Sequence, residues 1–275
     1  MTTTSRYLPH GPAAFAHRGG LAVWPENTLV AFEGAIALGY RYIETDLHMT
    51  RDGAIVCAHD PTLMRCTDGA GRVFDLTLDE LRTLDAGYRF TADGGETHPF
   101  RGKGVTIPTL EEALALHPEL KLNVEIKQRE PAMEAALWDE IERLDAHDRL
   151  LVAAEQDSLV HRFRGLRGTS MPTSPGTRGV ARFWLGVRSG LHRFDRYPFD
   201  ALQVPVHFQG IPIVTPAFIE AAHGHGIQVH VWTINDTDEM HRLLELGVDV
   251  LMTDYPARLA DVFHARGLAL DGGTA

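Results

Sequence analysis

Histidines, acids and two cations recur in this chain at spacings that could assemble a phosphoryl-transfer site. His17-Arg18-Gly19-Gly20 follows the apolar run Ala13-Ala14-Phe15-Ala16, and Glu44 and Asp46 lie two apart in Tyr42-Ile43-Glu44-Thr45-Asp46. Glu125 and Lys127 lie two apart in Leu122-Asn123-Val124-Glu125-Ile126-Lys127, and His59 follows Ile55-Val56-Cys57-Ala58. Residues two apart on a strand share a face. Three carboxylates on shared faces make an oxygen-rich site suited to a divalent Ca²⁺ or Mg²⁺ rather than Zn²⁺, and no HExxH-type pair points to zinc. Without a cation their mutual repulsion is costly, unless Arg18 and Lys127 pair with them as a salt-bridge network. Near such a centre, one histidine can take a proton from the attacking oxygen while the other protonates the leaving alcohol. Arg18 offers a bidentate fork for phosphate oxygens and Lys127 a point charge. Gly19 and Gly20 would let a phosphate approach the backbone.

The elements that must hold these groups alternate. Apolar runs at 13–17, 42–46, 122–127, 150–154, 201–205, 229–233 and 249–254 read as strands. Helical patterns fall between them at 28–38, 109–117, 132–145 and 216–225, several closing on a glycine (Gly39, Gly226, Gly247). That order indicates βα units and a parallel sheet. Thr169 to Ser174 is a poor candidate for an eighth strand because of Met171-Pro172. The ionisable residues gather at C-terminal strand ends, with Trp232 in the penultimate strand and Asp254 ending the last, Asp254 reading as a structural residue. This placement is that of a barrel active site, so the expected fold is α/β, a TIM-type (β/α)8 barrel forming one domain over 1–275. No GxGxxG or P-loop follows a strand, which removes the nucleotide-fold class.

Asp52-Gly53 between alternating runs predicts a two-residue hairpin turn, which would set Asp46 directly opposite His59. Residues 61–107 are irregular, with one short helix near 77–84, and read as an insertion or lid after that hairpin. Residues 172–200 interleave Arg, Gly, Pro and aromatics. They read as a solvated helix with a buried aromatic face, or as a covering segment compatible with transient contact at a membrane surface.

Composition sets outer limits. The 275 residues, 44% hydrophobic and 23% charged, are ordinary for a globular protein. A formal net charge of −11 argues against a nucleic-acid partner but not against a phosphate substrate, because a cation can reverse the local sign. No apolar run marks a signal peptide or a membrane span, and Cys57 and Cys66 read as free thiols, so the cytoplasm is the expected location.

Taken together, His17-Arg18-Gly19-Gly20, Pro25-Glu26-Asn27-Thr28, Glu44-Thr45-Asp46, Asp52-Gly53, His59-Asp60, Glu125-Ile126-Lys127, Trp232-Thr233-Ile234-Asn235 and Thr253-Asp254-Tyr255-Pro256 resemble the glycerophosphodiester phosphodiesterase family. The resemblance spans about 13–260 and implies a TIM-type barrel with an insertion after the second histidine. By position it makes His17 and His59 the catalytic pair and Glu44, Asp46 and Glu125 the ligands of a divalent cation. It puts Arg18 and Lys127 on the phosphate of a small-molecule phosphodiester and Trp232 beside its glycerol moiety. Glu26 and Asn27 fall in the supporting loop or cap the next helix. The implied reaction is hydrolysis to a glycerol phosphate and an alcohol. Ala154-Glu155-Gln156 stands where a Ser-Phe pair is common in the family, and the long basic segment after it resembles the branch of lysophospholipase D enzymes acting on lysolipids. From a different class, a non-catalytic barrel binding a phosphorylated metabolite would carry the same fold.

Overall fold

Alternation along each strand divides the core in two. On β1 (Ala13–His17), Ala13 and Phe15 join one buried cluster while Ala14 and Ala16 join another. The first cluster takes Tyr42, Leu151, Ala153, Ala201, Val250 and Met252 from other strands and is the interior of a barrel. The second is the larger layer between strands and helices. The computed structural model describes residues 6–167 and 171–273.

From β1 the chain runs through α1 (Leu29–Ala37), β2 (Tyr42–Met49), β3 (Ile55–Cys57), α2 (Leu78–Leu81), α3 (Leu110–Ala115) and β4 (Lys121–Ile126). It continues through α4 (Glu134–Arg143), β5 (Leu150–Ala153), α5 (Asp157–Arg167), α6 (Thr177–Ser189), β6 (Ala201–Val204), β7 (His207–Phe208) and β8 (Ile211–Pro212). Last come α7 (Pro216–Gly224), β9 (Gln228–Val231), α8 (Thr237–Leu246), β10 (Val250–Thr253) and α9 (Pro256–Ala265). Seven strands lie in the order β5-β4-β2-β1-β10-β9-β6, every pair parallel. They are the seven strands the alternation predicts.

The gap between β5 and β6 is filled by 172–174. Val152 N–H donates to the Pro172 carbonyl at 3.2 Å and Ser174 N–H to the Val152 carbonyl at 3.1 Å, while Asp200 N–H donates to the Thr173 carbonyl at 2.9 Å. This is the position of the eighth strand expected at Thr169 to Ser174, of which Thr169 and Ser170 lie outside the described residues. Among the described residues a single parallel bridge, Val152 to Thr173, forms there, because Pro172 has no N–H to extend the ladder.

Local signals start the helices where expected. Thr28 accepts from Ala31 N–H at 3.3 Å to cap α1, and capping boxes pair Thr77 with Glu80 on α2 and Thr109 with Glu112 on α3. Within 61–107, Leu63, Val73, Leu81, Ala86, Val105 and Ile107 form a satellite core on Val56.

The hairpin differs from its expected form. β2 and β3 pair Leu47 with Cys57, His48 with Val56 and Met49 with Ile55. The loop holds three residues, because Thr50 N–H donates to the Ala54 carbonyl at 2.9 Å and Gly53 N–H to the Thr50 carbonyl at 3.1 Å. Gly53 sits at φ +92°, the left-handed residue that closes a three-residue turn. Asp46 therefore faces Ala58, whose N–H donates to its carbonyl at 2.9 Å, and His59 lies beyond the ladder.

Candidate active site

The barrel's inward alternation ends in the residues singled out from sequence. Phe15 leads to His17, Tyr42 to Glu44 and Asp46, Asn123 to Glu125 and Lys127, His230 to Trp232, and Met252 to Asp254. Strand register then pairs His17 with Glu44 and Asp46 with Glu125. His17, Arg18, Glu44, Asp46, His59, Glu125, Lys127 and Trp232 all line one cavity of about 590 Å³ at the C-terminal ends of the strands. Every predicted site residue is thus brought to one place.

Glu44, Asp46 and Glu125 each offer an oxygen within 4.8 Å of the others. Lys127 Nζ stands 2.8 Å from Glu125 Oε2 and 3.2 Å from Asp46 Oδ1, and Arg18 Nε stands 3.1 Å from Asp46 Oδ2. A salt-bridge network exists, but it leaves the acids incompletely satisfied. Asp46 Oδ1 is buried without a hydrogen bond, so the Lys127 approach is a charge contact only. Burial, reinforced by the charge of Asp46, pushes the Glu44 carboxyl up from its ordinary range. Burial would raise Asp46 as well, but Lys127 and Arg18 outweigh it and hold that carboxyl low. Three converging carboxylates, with Asp46 Oδ1 lacking a hydrogen bond, fit a hard divalent cation.

Each histidine is held by an aspartate at the same ring atom. His17 Nδ1 lies 2.6 Å from Asp254 Oδ1, and Asp254 Oδ2 accepts from Asn235 Nδ2 at 2.7 Å. His59 Nδ1 lies 2.6 Å from Asp60 Oδ1, while Asp60 Oδ2 accepts from Arg65 Nε at 2.5 Å. In both, the carboxylate fixes Nδ1 as the protonated nitrogen and leaves Nε2 for chemistry. Burial pulls the His17 pKa down, but the Asp254 hydrogen bond and the Glu44 charge prevail, and it ends above its ordinary value. Burial works against ionised Asp60 too, but Arg65 and His59 hold its carboxyl down at about 2.

Asp254 is therefore the residue that sequence reasoning undervalues. A lone strand-end acid reads as structural; the signal for more is Asn235, three positions after the inward Trp232. Arg65 is a second such residue. It binds Glu26 through both terminal nitrogens, at 2.6 and 2.7 Å, and Glu26 in turn accepts from Arg18 at 3.0 Å. The insertion is thereby tied to both histidine-bearing segments. His48, two residues beyond Asp46 on β2, donates from Nε2 to the His59 carbonyl at 3.2 Å and fixes the backbone there.

Two further expectations change in detail. Gly19 and Gly20, at φ +82° and +111°, are also required by packing. A Cβ on Gly19 would meet Ala31 Cβ at 2.7 Å, and one on Gly20 would meet Pro256 Cγ at 2.6 Å. Asn27 does not cap α1, a role Thr28 fills; it donates to Asp46 Oδ2 at 2.9 Å and accepts from Thr45 at 2.7 Å. Away from the charged floor the cavity turns apolar, walled by Val180, Trp184 and Leu185 of α6, by Phe208 and Ile211 of the β7–β8 hairpin, and by Trp232.

Comparison with known proteins agrees with this geometry. The sequence profile of the glycerophosphoryl diester phosphodiesterase family matches residues 17–258. The chain is 36% identical over 271 residues to "Probable glycerophosphodiester phosphodiesterase 2" of Mycobacterium tuberculosis, covering 96% of each chain. Its fold superposes on the glycerophosphoryl diester phosphodiesterase domain of another Mycobacterium tuberculosis protein with a TM-score of 0.80 at 22% identity, over 91% of this chain and 98% of that one. A phosphodiesterase of Oleispira antarctica, solved in complex with the product sn-glycerol-3-phosphate, aligns with a TM-score of 0.72 at 26% identity, over 92% and 97% of the two chains. With the profile and a full-length relative in agreement, the chain belongs to the glycerophosphoryl diester phosphodiesterase family.

Proposed function

We propose that this protein hydrolyses glycerophosphodiesters to a glycerol phosphate and an alcohol, with His17 and His59 dividing the acid and base roles. The observation that carries the reading is the matched pair of imidazoles, each held at Nδ1 by an aspartate 2.6 Å away beside a cluster of three carboxylates. Glu44, Asp46 and Glu125 would hold a divalent cation, Ca²⁺ or Mg²⁺, which would supply Lewis-acid polarisation of a phosphoryl oxygen. Arg18 and Lys127 neutralise the phosphate and orient it, and Trp232 flanks the glycerol. One histidine removes a proton from the attacking oxygen at Nε2, and the other delivers one to the departing alcohol. The segment 61–107 supports the site through Arg65.

The experiment is a metal-supplemented substrate panel with both products identified, run before and after chelation. Glycerophosphocholine should give a glycerol phosphate and choline, EDTA should abolish turnover, and Ca²⁺ or Mg²⁺ should restore it. A lysolipid belongs in the panel because the apolar wall of the cavity has room for a hydrocarbon group. Tight binding of glycerol phosphate without turnover of any diester would instead identify a binding barrel, and full activity after exhaustive chelation would remove the metal from the account.

A further inference from the structure

The segment 177–196, comprising α6 and the 3-10 turn Leu191–Phe194, combines an excess of arginine with exposed apolar side chains. In a chain of net charge −11 it carries five arginines, at 178, 182, 188, 193 and 196, against one acid, Asp195. That acid is already held by Arg182, at 2.5 and 2.9 Å. One face of α6 is spent on the core: Phe183 is fully buried, with Val180, Trp184 and Val187 packed beside it at helical spacing. The opposite face, which should be wholly polar, carries exposed Leu185 among the arginines. The turn that follows exposes Leu191 and Phe194, the latter 87% accessible. Leu185 also lines the mouth of the cavity together with exposed Phe208 and Ile211, and Trp184 Nε1 donates to the Pro212 carbonyl at 3.4 Å, joining helix and hairpin.

Large apolar side chains left in water beside unneutralised arginines lower their free energy by entering the headgroup boundary of a bilayer, where anionic lipids meet the guanidinium groups. We propose that α6, the turn after it and the β7–β8 hairpin form a docking surface for an anionic lipid bilayer, which holds the mouth of the cavity against the membrane. The charge pattern selects this occupant. A neutral surface would leave the arginines without a partner, and a second copy meeting this face through the same face would set its five arginines against five more. Each arginine near an anionic surface contributes about fivefold in partition, and the contribution falls with salt.

The test is co-sedimentation of the full-length protein with vesicles of phosphatidylcholine alone or mixed with phosphatidylglycerol. Binding should be at least tenfold tighter to the anionic vesicles and should weaken when salt is raised. Leu191→Asp with Phe194→Asp, and separately Arg193→Glu with Arg196→Glu, should each reduce it at least tenfold. Hydrolysis of water-soluble glycerophosphocholine by these variants should stay at wild-type rates, since none of the four residues lines the cavity. That assay also separates failure of this surface from failure of the catalytic reading. Absence of binding, equal binding to neutral and anionic vesicles, or a dimer in light scattering that the aspartate variant dissolves would overturn the proposal.

Discussion

The two histidines proposed for catalysis do not stand alone; each is held at Nδ1 by an aspartate that fixes its tautomer. Asp254→Asn and Asp60→Asn keep the shape of the two contacts but can present an amide N–H where His17 and His59 need an acceptor. Each should lower kcat by about 10² or more with a smaller change in KM, measured on glycerophosphocholine. Asp254→Asn should also change the pH dependence of stability in the chelated protein. The pKa of His17 is raised in the folded state, so the pair stabilises fully below the unfolded value of about 6.5 and loses that contribution as pH rises through the folded value. Asp254 is depressed, so its own contribution is present above about 3.9. The deficit in Tm of the variant should therefore be largest near pH 5 to 6 and narrow toward pH 9. At this scale the convergence of the candidate groups is legible in the sequence, because strand alternation places His17, Glu44, Asp46 and Glu125 on one side. Their supports are not: Asp254 meets His17 across 237 positions, and Arg65 meets Glu26 across 39, and no local pattern signals either contact.

Among the elements, the β2–β3 hairpin is the one where local chemistry misleads. Asp52-Gly53 favours a two-residue turn, but Thr50 Oγ1 donates to Asp52 Oδ1 at 2.6 Å and accepts from Ala54 N–H at 2.9 Å, and the wider loop wins. A Cβ on Gly53 would meet no atom within 4 Å, so a side chain there is opposed by backbone strain alone. Gly53→Val should cost about 1 to 3 kcal/mol in urea unfolding, while Gly53→Asn, which tolerates left-handed φ, should cost less. Equal stability of the two variants would contradict the observed turn. The short closing strand is faint in the sequence for another reason: Pro172 removes the period-two signal, and its place becomes visible only once the barrel needs an eighth member. The basic segment 172–200 reads as a helix with a buried aromatic face, and Phe183 packed against Phe218 at 5.3 Å accounts for that face. The exposed apolar residues on its other side are what the pattern does not explain.

Seen whole, the barrel separates stability from chemistry by its two ends. Tyr7 closes the N-terminal end: it is fully buried, sits edge-on to Tyr42 at 5.5 Å, and its carbonyl accepts from the Tyr42 hydroxyl at 2.6 Å. Tyr7→Ala should cost about 3 to 5 kcal/mol of stability while leaving kcat at a permissive temperature nearly unchanged. A large kcat loss would show that the two ends are coupled. The opposite end holds the candidate site, where His17 and His59 are proposed to share one proton-transfer task. The most direct measurement is the turnover of His17→Ala, His59→Ala and the double variant on glycerophosphocholine and on a p-nitrophenyl diester, with Tm determined alongside. Each single variant should lose at least about 10² in kcat on the natural diester with Tm nearly intact, and the double variant should be little worse than the poorer single one. The variant lacking the general acid should recover in part on the p-nitrophenyl ester, whose leaving group needs little protonation, and so identify which histidine is the acid. Wild-type rates for both variants on the natural diester would contradict the account.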